Sequence, residues 1–150
     1  MNCFEPRDPK FEARVRASFA KQEFMQTLGA SLERVEPGEV EIVLRSRDAL
    51  NQQHGFMHAG AITSVVDSAC GYAALSLMPP GAAVLSVEFK VNLLAPAVGE
   101  RMVAIGRVKK AGRTLMVCTG DVFAESEAGR KNVATMMATM MVVTDRGLED

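Results

Sequence analysis

The sequence predicts an α+β fold in which one long helix packs on an antiparallel sheet. The run from Ala59 to Met78 is rich in apolar and small residues, and Asp67 is its only charged residue. The segments that follow have alternating apolar residues and are joined by short turns, which is the pattern of antiparallel strands. A helix that accompanies such strands lies on the sheet, because its apolar stripe has to be buried.

The composition is that of an ordinary globular protein. The chain has 150 residues, of which 48% are hydrophobic and 23% are charged, and its formal net charge is −1. This length predicts a single domain, residues 1–150. A nearly neutral chain lacks the basic surface that binds nucleic acid or anionic membranes, so we expect neither partner.

The cysteines and the N-terminus predict a cytoplasmic protein. Cys3, Cys70 and Cys118 fit neither a disulfide framework nor the spacing of metal ligands. The first residues mix acids and bases ahead of any apolar run, unlike a secretory signal. Residues 59–78 are long enough to cross a membrane, but their hydroxyl groups, glycines and central acid favour a buried helix of a soluble protein.

The first elements are one or two helices in an N-terminal extension of about residues 1–30. Apolar residues recur there at helical spacing, and Gly29 follows as a stop signal. These apolar residues are Phe11, Val15, Phe19, Phe24, Met25 and Leu28. From Leu32 the period changes, and the stretch VEPGEVEIVLR places a Pro-Gly turn before a strand with alternating apolar residues from Val40 to Leu44.

The central helix is predicted to follow a loop that ends at His58. The helix runs to about Met78, where the stretch PPG closes it, since no helix continues through two prolines.

Four strands are predicted after PPG. In the first, five apolar residues alternate with polar residues that include Ser86, so we expect the apolar side to be buried and the polar side exposed. These apolar residues are Leu85, Val87, Phe89, Val91 and Leu93. The next two strands, about Arg101 to Lys109 and Thr114 to Ala124, are joined by KAGR, and the last is NVATMMATMMVV. Its methionines are typical of core or interface packing.

On the central helix, Asp67 lies away from the side predicted to pack on the sheet. That side consists of Ile62, Val65, Ala69, Tyr72 and Ala73. The side of Asp67 carries small residues, which allow another surface to dock close to the backbone. These small residues are Gly60, Thr63, Ser64, Cys70, Gly71 and Ala74. Asp67 is either a solvated surface acid or a partly buried acid whose pKa is raised by desolvation.

The start of this helix is a candidate site for an oxyanion. His58 precedes the first turn, where the N–H groups of Ala59 and Gly60 have no intrahelical acceptor and lie at the positive end of the helix dipole. Such amides can polarise a carbonyl. The alternative is that His58 only caps the helix or packs there. His54 and His58 have no third ligand nearby, so we expect no metal site.

An amide pair and a carboxylate two turns later suit the hydrolysis of a thioester. A thiolate is a good leaving group because its thiol has a pKa of about 8.5, so its expulsion needs hardly any general acid. Amide and glycoside cleavage would require one. The sequence also lacks the short motifs of serine hydrolases, phosphate-binding loops, dinucleotide-binding folds and zinc proteases.

Three stretches resemble, in order and spacing, the hotdog-fold acyl-CoA thioesterases of the PaaI (phenylacetate-degradation thioesterase) type. They are FMQTLGASLERVEPGEVEIVL, HGFMHAGAITSVVDSACGYAA and SVEFKVNLLAPAVGE, and the likeness runs from about Phe24 to Val143. The resemblance implies a hotdog fold, in which an antiparallel sheet wraps around one long central helix. It also implies a homodimer or homotetramer with the active site at the subunit interface.

The resemblance implies roles for residues on the central helix. Asp67 matches the family's catalytic carboxylate, which acts as a nucleophile or as the base that activates water. Ala59 stands where the family usually has the first glycine of a His-Gly-Gly motif, whose N–H polarises the thioester carbonyl. Gly60 matches the second glycine, and a backbone donor survives the replacement of glycine by alanine at position 59.

Two further positions are left open by the resemblance. Gln52 or Gln53 falls near the amide side chain that holds water or the acyl carbonyl in relatives, and the length of the loop does not decide between them. Ser86 matches a water-orienting hydroxyl of some relatives, whereas strand alternation puts it on the exposed polar side.

Two basic turns are candidates for binding the phosphates of coenzyme A, which call for cations and backbone donors. Lys109, Lys110 and Arg113 lie in KKAGRT, and Arg130 and Lys131 lie in EAGRKN. Either cluster is equally compatible with a plain charged turn. Coenzyme A enters as part of the substrate, and we expect no separate cofactor.

The sequence therefore predicts hydrolysis of an acyl-CoA thioester to the free acid and CoA. One alternative is a non-catalytic acyl-CoA-binding or sensor protein on the same fold, which would not need Asp67. The other is an acyl-thioester dehydratase or hydratase with His58 and Asp67 as acid and base. The start of the helix favours the thioesterase, and the sequence does not determine the acyl group.

Overall fold

The computed structural model describes residues 4–148 and Asp150, so Cys3 lies outside the described residues. The described part of the chain forms three α-helices, one 3₁₀ turn and six strands. In chain order these are α1 (Phe11–Lys21), α2 (Glu23–Leu28), β1 (Ala30–Glu36), β2 (Glu39–Arg45), the 3₁₀ turn (Asp48–Leu50), α3 (Ala59–Leu75), β3 (Ala83–Leu93), β4 (Arg101–Ala111), β5 (Leu115–Ser126) and β6 (Gly129–Val143).

The strands form one antiparallel sheet in the order β1-β2-β4-β5-β6-β3. Helix α3 contacts all six strands, and the hydrophobic core lies between the helix and the sheet. This arrangement confirms the α+β class and the hotdog fold that the resemblance implies.

Helix α3 is buried on the side predicted from the sequence. Ile62, Val65, Ala69, Tyr72 and Ala73 are all buried in the core. The helix ends at Leu75, a little before the predicted end at Met78, and the chain continues through a buried turn to the two prolines.

Two glycines let α3 lie very close to the sheet. A Cβ on Gly106 of β4 would lie 2.3 Å from the carbonyl of Ala69, and a Cβ on Gly120 of β5 would lie 2.4 Å from a methyl group of Val66. The same Cβ on Gly120 would lie 2.9 Å from the sulfur of Cys70. Cys70 therefore faces the sheet, which corrects its assignment to the side of Asp67.

The sequence patterns missed strand β1. It pairs with β2 across the Pro-Gly turn, where Gly38 has a φ of +79° that favours glycine. The turn was recognised, but the strand before it was not, since Leu32 and Val35 are too few apolar residues to show an alternation.

A β-bulge changes which residues of β3 face the helix. The register against β6 shifts between Ser86 and Glu88, so that Ser86 pairs with Met140 and Phe89 pairs with Ala138. Met140 and Ala138 are buried in the core. Because paired residues share a face, Ser86 and Phe89 both lie on the helix side of the sheet. The expectation of strict alternation is therefore wrong, whereas the polar residues of the strand, Ser86 included, are exposed as expected.

Strand β3 lies at the edge of the sheet and is not buried as predicted. Of its five apolar residues expected to be buried, Val91 is half-buried and the other four are 43–54% exposed, and one side of the strand has no neighbour in the sheet. We call these residues the apolar β3 edge; they are Leu85, Val87, Phe89 and Leu93.

The N-terminal helices are present as predicted, and α2 ends at Leu28 and is capped by Gly29, whose φ is +76°. Arg14 fastens α1 to the end of α3, since its guanidinium donates to the carbonyls of Leu75 (2.8 Å), Met78 (3.0 Å) and Pro79 (2.8 Å). The carbonyls of Leu75 and Pro79 also accept from the N–H groups of Met78 and Ala82, at 3.0 and 3.2 Å. Among the helices described, none is long and apolar enough to cross a membrane.

Candidate active site

His58 caps the start of α3. Its side chain accepts a hydrogen bond from one of the two N–H groups that were expected to have no partner. Its ring Nδ1 accepts a hydrogen bond from the Gly60 N–H at 2.8 Å. A Cβ on Gly60 would lie 3.0 Å from this nitrogen, so the ring packs directly against the glycine. The expectation that both amides point outward without a partner is therefore wrong for Gly60.

The Ala59 N–H has no acceptor among the described residues. It belongs to the first residue of α3, and such an amide has no intrahelical partner. Ala59 borders a cavity of about 440 Å³, which we call the amide cavity. Its lining is mostly apolar and consists of Gln52, Phe56, Met57, Ala59, Ile62, Leu93, Leu94, Ala95, Pro96 and Ala97.

The loop before α3 places Gln52, and not Gln53, at this cavity. Gln52 is half-buried, its N–H donates to the Phe56 carbonyl at 2.8 Å, and its side-chain oxygen accepts from the N–H of His54. Gln53 is exposed and contacts only the ring of His54 among the described residues. The geometry therefore favours Gln52 as the amide side chain of the site.

Asp67 lies two turns further along α3 and is half-buried. Its Oδ1 accepts a hydrogen bond of 2.8 Å from the Ser86 hydroxyl, which also lies 3.4 Å from the sulfur of Met140. Burial raises the pKa of Asp67, and the hydrogen bond from Ser86 opposes part of that rise. The structure thus brings together Asp67 and Ser86, and it does so because the bulge in β3 turns Ser86 toward α3.

A second, smaller cavity adjoins Asp67. Its volume is about 120 Å³, and we call it the carboxylate cavity. It is lined by Gln22, Asp67, Ser68, Gly71, Tyr72, Val84, Ser86 and Asp150.

Two residues of this lining were not found by sequence reasoning. Gln22, between α1 and α2, accepts a hydrogen bond from the Ser68 hydroxyl at 3.3 Å. Asp150 accepts one from the Val84 N–H at 2.8 Å. The surface that was expected to dock beside Asp67 is therefore supplied in part by the chain itself. The small residues around Asp67 were the signal for a docked surface, but nothing in the sequence indicated which segment provides it.

The amide and the carboxylate of one chain do not meet. Asp67 follows Ala59 by eight residues, which corresponds to a rise of about 12 Å along the helix axis. A thioester carbonyl that accepts a hydrogen bond from Ala59 is therefore out of reach of Asp67 in the same chain.

The two basic clusters lie at opposite ends of β5, because KKAGRT precedes this strand and EAGRKN follows it. Twelve residues of strand span about 40 Å, so one chain cannot use both clusters for the same phosphate. Arg130 stacks on the ring of Phe123 at 4.0 Å and lies 3.6 Å from a carboxylate oxygen of Glu125. Lys109, Lys110 and Arg113 form no ion pair within the described residues. Lys131 is exposed at the same turn as Arg130.

Among the residues that the structure describes, the other reactive side chains do not form a site. Cys70 and Cys118 are buried, and burial raises the pKa of the Cys118 thiol to about 12 and that of Cys70 well above its usual value. Both are therefore held as thiols, which are poor nucleophiles. No three His, Cys, Asp or Glu side chains of the described residues come together as a metal site would require.

Comparisons with known proteins show the family of the chain. The model of the thioesterase superfamily matches residues 54–130, about half of the chain, and this range includes Ala59 and Asp67. A thioesterase family protein from Silicibacter pomeroyi is 51% identical, with a TM-score of 0.88 over 89% of this chain and 98% of that chain. No curated protein matched the chain.

More distant structures share the fold. A thioesterase from Haemophilus influenzae is 17% identical, with a TM-score of 0.76 over 85% of this chain and 87% of that one. The PaaI protein of E. coli, from the phenylacetic acid degradation operon, is 18% identical, with a TM-score of 0.79 over 89% and 94%. The resemblance to hotdog thioesterases is thereby confirmed. The chain belongs to the thioesterase superfamily, and its general chemistry is the hydrolysis of acyl thioesters.

Proposed function

We propose that the protein hydrolyses acyl-CoA thioesters at sites that are each built from two copies of the chain. In each site the Ala59 N–H of one copy binds the thioester carbonyl oxygen, and Asp67 of the other copy activates water. The observation that carries this proposal is the separation of the two groups on one helix, combined with a cavity at each of them. Each chain thus holds half of two sites.

The apolar β3 edge supports assembly of two copies. An exposed edge strand with apolar side chains is a ready surface for pairing with another strand. Covering it with a second copy would bury these side chains and satisfy the free N–H and C=O groups of the edge. A closed symmetric dimer is the simplest assembly that leaves no such edge exposed, and the tetramer expected from the resemblance would be a pair of such dimers.

The chemistry follows from the two groups. Ser86 holds Oδ1 of Asp67, and Oδ2 has no hydrogen bond from the described residues, so Oδ2 accepts a proton from water as the water oxygen attacks the carbonyl carbon. The negative charge that develops on the carbonyl oxygen is stabilised by the Ala59 N–H at the positive end of α3. The C–S bond then breaks, and the thiolate takes the proton from Asp67. The products are the carboxylic acid and CoA.

We assign Asp67 to the activation of water. Burial raises the pKa of this carboxyl group, which strengthens it as a base toward water. The exposed cations Lys109, Lys110 and Arg113 are the better candidates for CoA phosphates, because Arg130 is engaged by Phe123 and Glu125. A cytoplasmic location and the lack of a cofactor apart from CoA stay predictions from the sequence.

A mixing experiment tests the two-copy site. Asp67→Asn changes the part of the site that activates water, and Gln52→Ala changes the part that binds the carbonyl. Each variant on its own should therefore release little thiol from acyl-CoA. After co-refolding at equal amounts, half of the dimers contain one chain of each kind. One of the two sites in such a dimer carries both changes, and the other carries neither. We therefore expect activity to return to about one quarter of the wild-type value.

Three outcomes would contradict the proposal. No recovery on mixing would place both groups in one chain, and sedimentation as a monomer at micromolar concentration would remove the interface. Binding of acyl-CoA without any thiol release by the wild type would favour the sensor alternative. The dehydratase alternative predicts water loss from a 3-hydroxyacyl-CoA, which an absorbance increase from the enoyl thioester would reveal.

A further inference from the structure

The composite site has two cavities, and either of them is able to receive the acyl group. The carboxylate cavity includes Asp67 and Ser86 in its own lining. A thioester carbon placed for attack by the water on Asp67 therefore has this cavity next to it. The amide cavity includes Ala59 but not Asp67 in its lining, so it adjoins the group that binds the carbonyl oxygen. Position thus favours the carboxylate cavity for the acyl chain.

The size of the carboxylate cavity limits the acyl chain. Its volume is about 120 Å³. A cavity of about 150 Å³ in a protein interior holds benzene, which has six carbon atoms. The carboxylate cavity therefore has room for roughly four or five non-hydrogen atoms, judged on the same scale.

One wall of this cavity is polar and is formed by Asp150. The Ser18 hydroxyl lies 3.2 Å from Oδ1 of Asp150 and 3.4 Å from the Tyr72 hydroxyl. A serine hydroxyl has one proton, and an ionised carboxylate only accepts, so Ser18 donates to Asp150 and accepts from Tyr72. The other oxygen of Asp150 accepts from the Val84 N–H at 2.8 Å. Asp150 is therefore held in place by α1 and β3.

This wall retains capacity to accept hydrogen bonds. The two oxygens of an ionised carboxylate offer about four acceptor positions, and Asp150 uses two of them in the described contacts. A group that donates a hydrogen bond would be bound there, whereas a methyl group would leave the acceptor facing an apolar surface. A negatively charged group would meet the like charges of Asp150 and Asp67.

We infer that the carboxylate cavity binds the acyl group, and that Asp150 makes it select short acyl chains with a hydroxyl group at the far end. This inference rests on the proposed acyl-CoA hydrolysis and deepens it. Asp150 acts here as a specificity-determining residue for the same reaction.

Isosteric substrates provide the test. Butanoyl-CoA and 3-hydroxypropanoyl-CoA differ only in a terminal methyl or hydroxyl group, malonyl-CoA carries a carboxylate, and octanoyl-CoA exceeds the cavity. With the wild-type protein we expect kcat/KM for 3-hydroxypropanoyl-CoA to be about tenfold above that for butanoyl-CoA. Malonyl-CoA and octanoyl-CoA should each be hydrolysed at least about tenfold less efficiently than butanoyl-CoA.

Substitutions at Asp150 connect this preference to the residue. Asp150→Ala should bring the ratio of the hydroxyl to the methyl substrate to within about twofold of unity, because the acceptor is lost. Asp150→Asn keeps the volume and removes the charge, so it should relieve the discrimination against malonyl-CoA even if the alanine variant folds poorly. Asp145→Asn is the matched control, since it makes the same change at an exposed residue of the same segment.

The outcomes separate this inference from the proposed function. A wild-type preference for octanoyl-CoA would overturn the inference and place the acyl chain in the amide cavity, and a preference for butanoyl-CoA over 3-hydroxypropanoyl-CoA would overturn the selection of a hydroxyl group. An unchanged hydroxyl preference in Asp150→Ala would overturn the role of Asp150, and an equal loss on all substrates would make its role merely structural. Absence of thiol release from every acyl-CoA would instead reject the proposed function.

Discussion

The amide cavity and the carboxylate cavity adjoin the same helix but differ in almost every property. The first is large, mostly apolar and opens at the start of α3, where it meets a free backbone N–H. The second is small, has a polar wall and adjoins a half-buried carboxylate. In the proposed mechanism, the group that stabilises negative charge and the group that activates water therefore lie in separate environments. Each environment suits its proposed task, and the proposed two-chain site would bring the two groups together.

The largest effect on activity is expected from removing the carboxylate of Asp67. Asp67→Asn keeps the volume and shape of the side chain but not its basicity, so kcat should fall by a factor on the order of 10² to 10⁴ with KM little changed. Thiol release under saturating acyl-CoA measures this. Asp145→Asn serves as the control and should keep full activity. Full activity in Asp67→Asn would contradict the proposed role of Asp67 in activating water.

A smaller effect on activity is expected from replacing Gln52 at the amide cavity. Gln52 lines the amide cavity, so Gln52→Ala should lower kcat/KM by about 10- to 100-fold, as the loss of a polar contact to the reacting carbonyl or its water does. Gln53→Ala, one residue away and exposed, should stay within about twofold of the wild type. If Gln53→Ala lowers kcat/KM and Gln52→Ala does not, Gln53 and not Gln52 is the amide side chain of the site.

Replacing Ser86 tests whether the ionisation of Asp67 controls the pH dependence of activity. The active form of Asp67 is ionised, so activity should fall as the pH drops through its raised pKa. The hydrogen bond from Ser86 lowers this pKa, and Ser86→Ala removes it, so the acid limb of the kcat/KM profile should move to higher pH. At neutral pH the loss should be about fivefold. The matched control is Ser31→Ala on β1, and an unmoved acid limb would assign the limb to another group.

The smallest effect is expected on KM, from changing the basic turn that binds the phosphates of CoA. Arg113→Glu should raise KM for the CoA thioester about fivefold and leave a truncated pantetheine thioester unaffected, because only the former carries the nucleotide phosphates. Arg130→Glu, at the other end of β5, is the comparison and should change neither KM. If Arg130→Glu proves to be the variant with the raised KM, the phosphates lie at the EAGRKN turn instead.

The sequence predicted best those features that depend on neighbouring residues. The length of α3, its buried side and the pairing of β4 with β5 follow from local periodicity and turn residues. The positions of Ala59 and Asp67 on one helix are also local, and the resemblance then suggested their roles. Gln52 and Gln53 could not be separated, because the path of their loop depends on the contact of Gln52 with Phe56.

The parts that were missed depend on irregular or distant contacts. A single extra residue in β3 reverses the orientation of Ser86, and no pattern of apolar residues reveals such a bulge. The Gly60 amide was expected to be free because the direction of the His58 ring is not encoded in spacing. Asp150 reaches Val84 and Ser18 across most of the chain, so only tertiary structure shows that it lines the site.

The two glycines beneath α3 have a consequence for how substitutions are tolerated. At Gly106 even one added carbon would collide with the backbone of Ala69, two residues from Asp67. Backbone cannot rotate away as a flexible side chain does, so the helix itself would have to shift outward and carry Asp67 away from Ser86. The placement of the carboxylate is thus specified partly by an atom that is missing from the opposite strand. An alignment of active homologues would then show β4 invariant at a position that touches no substrate.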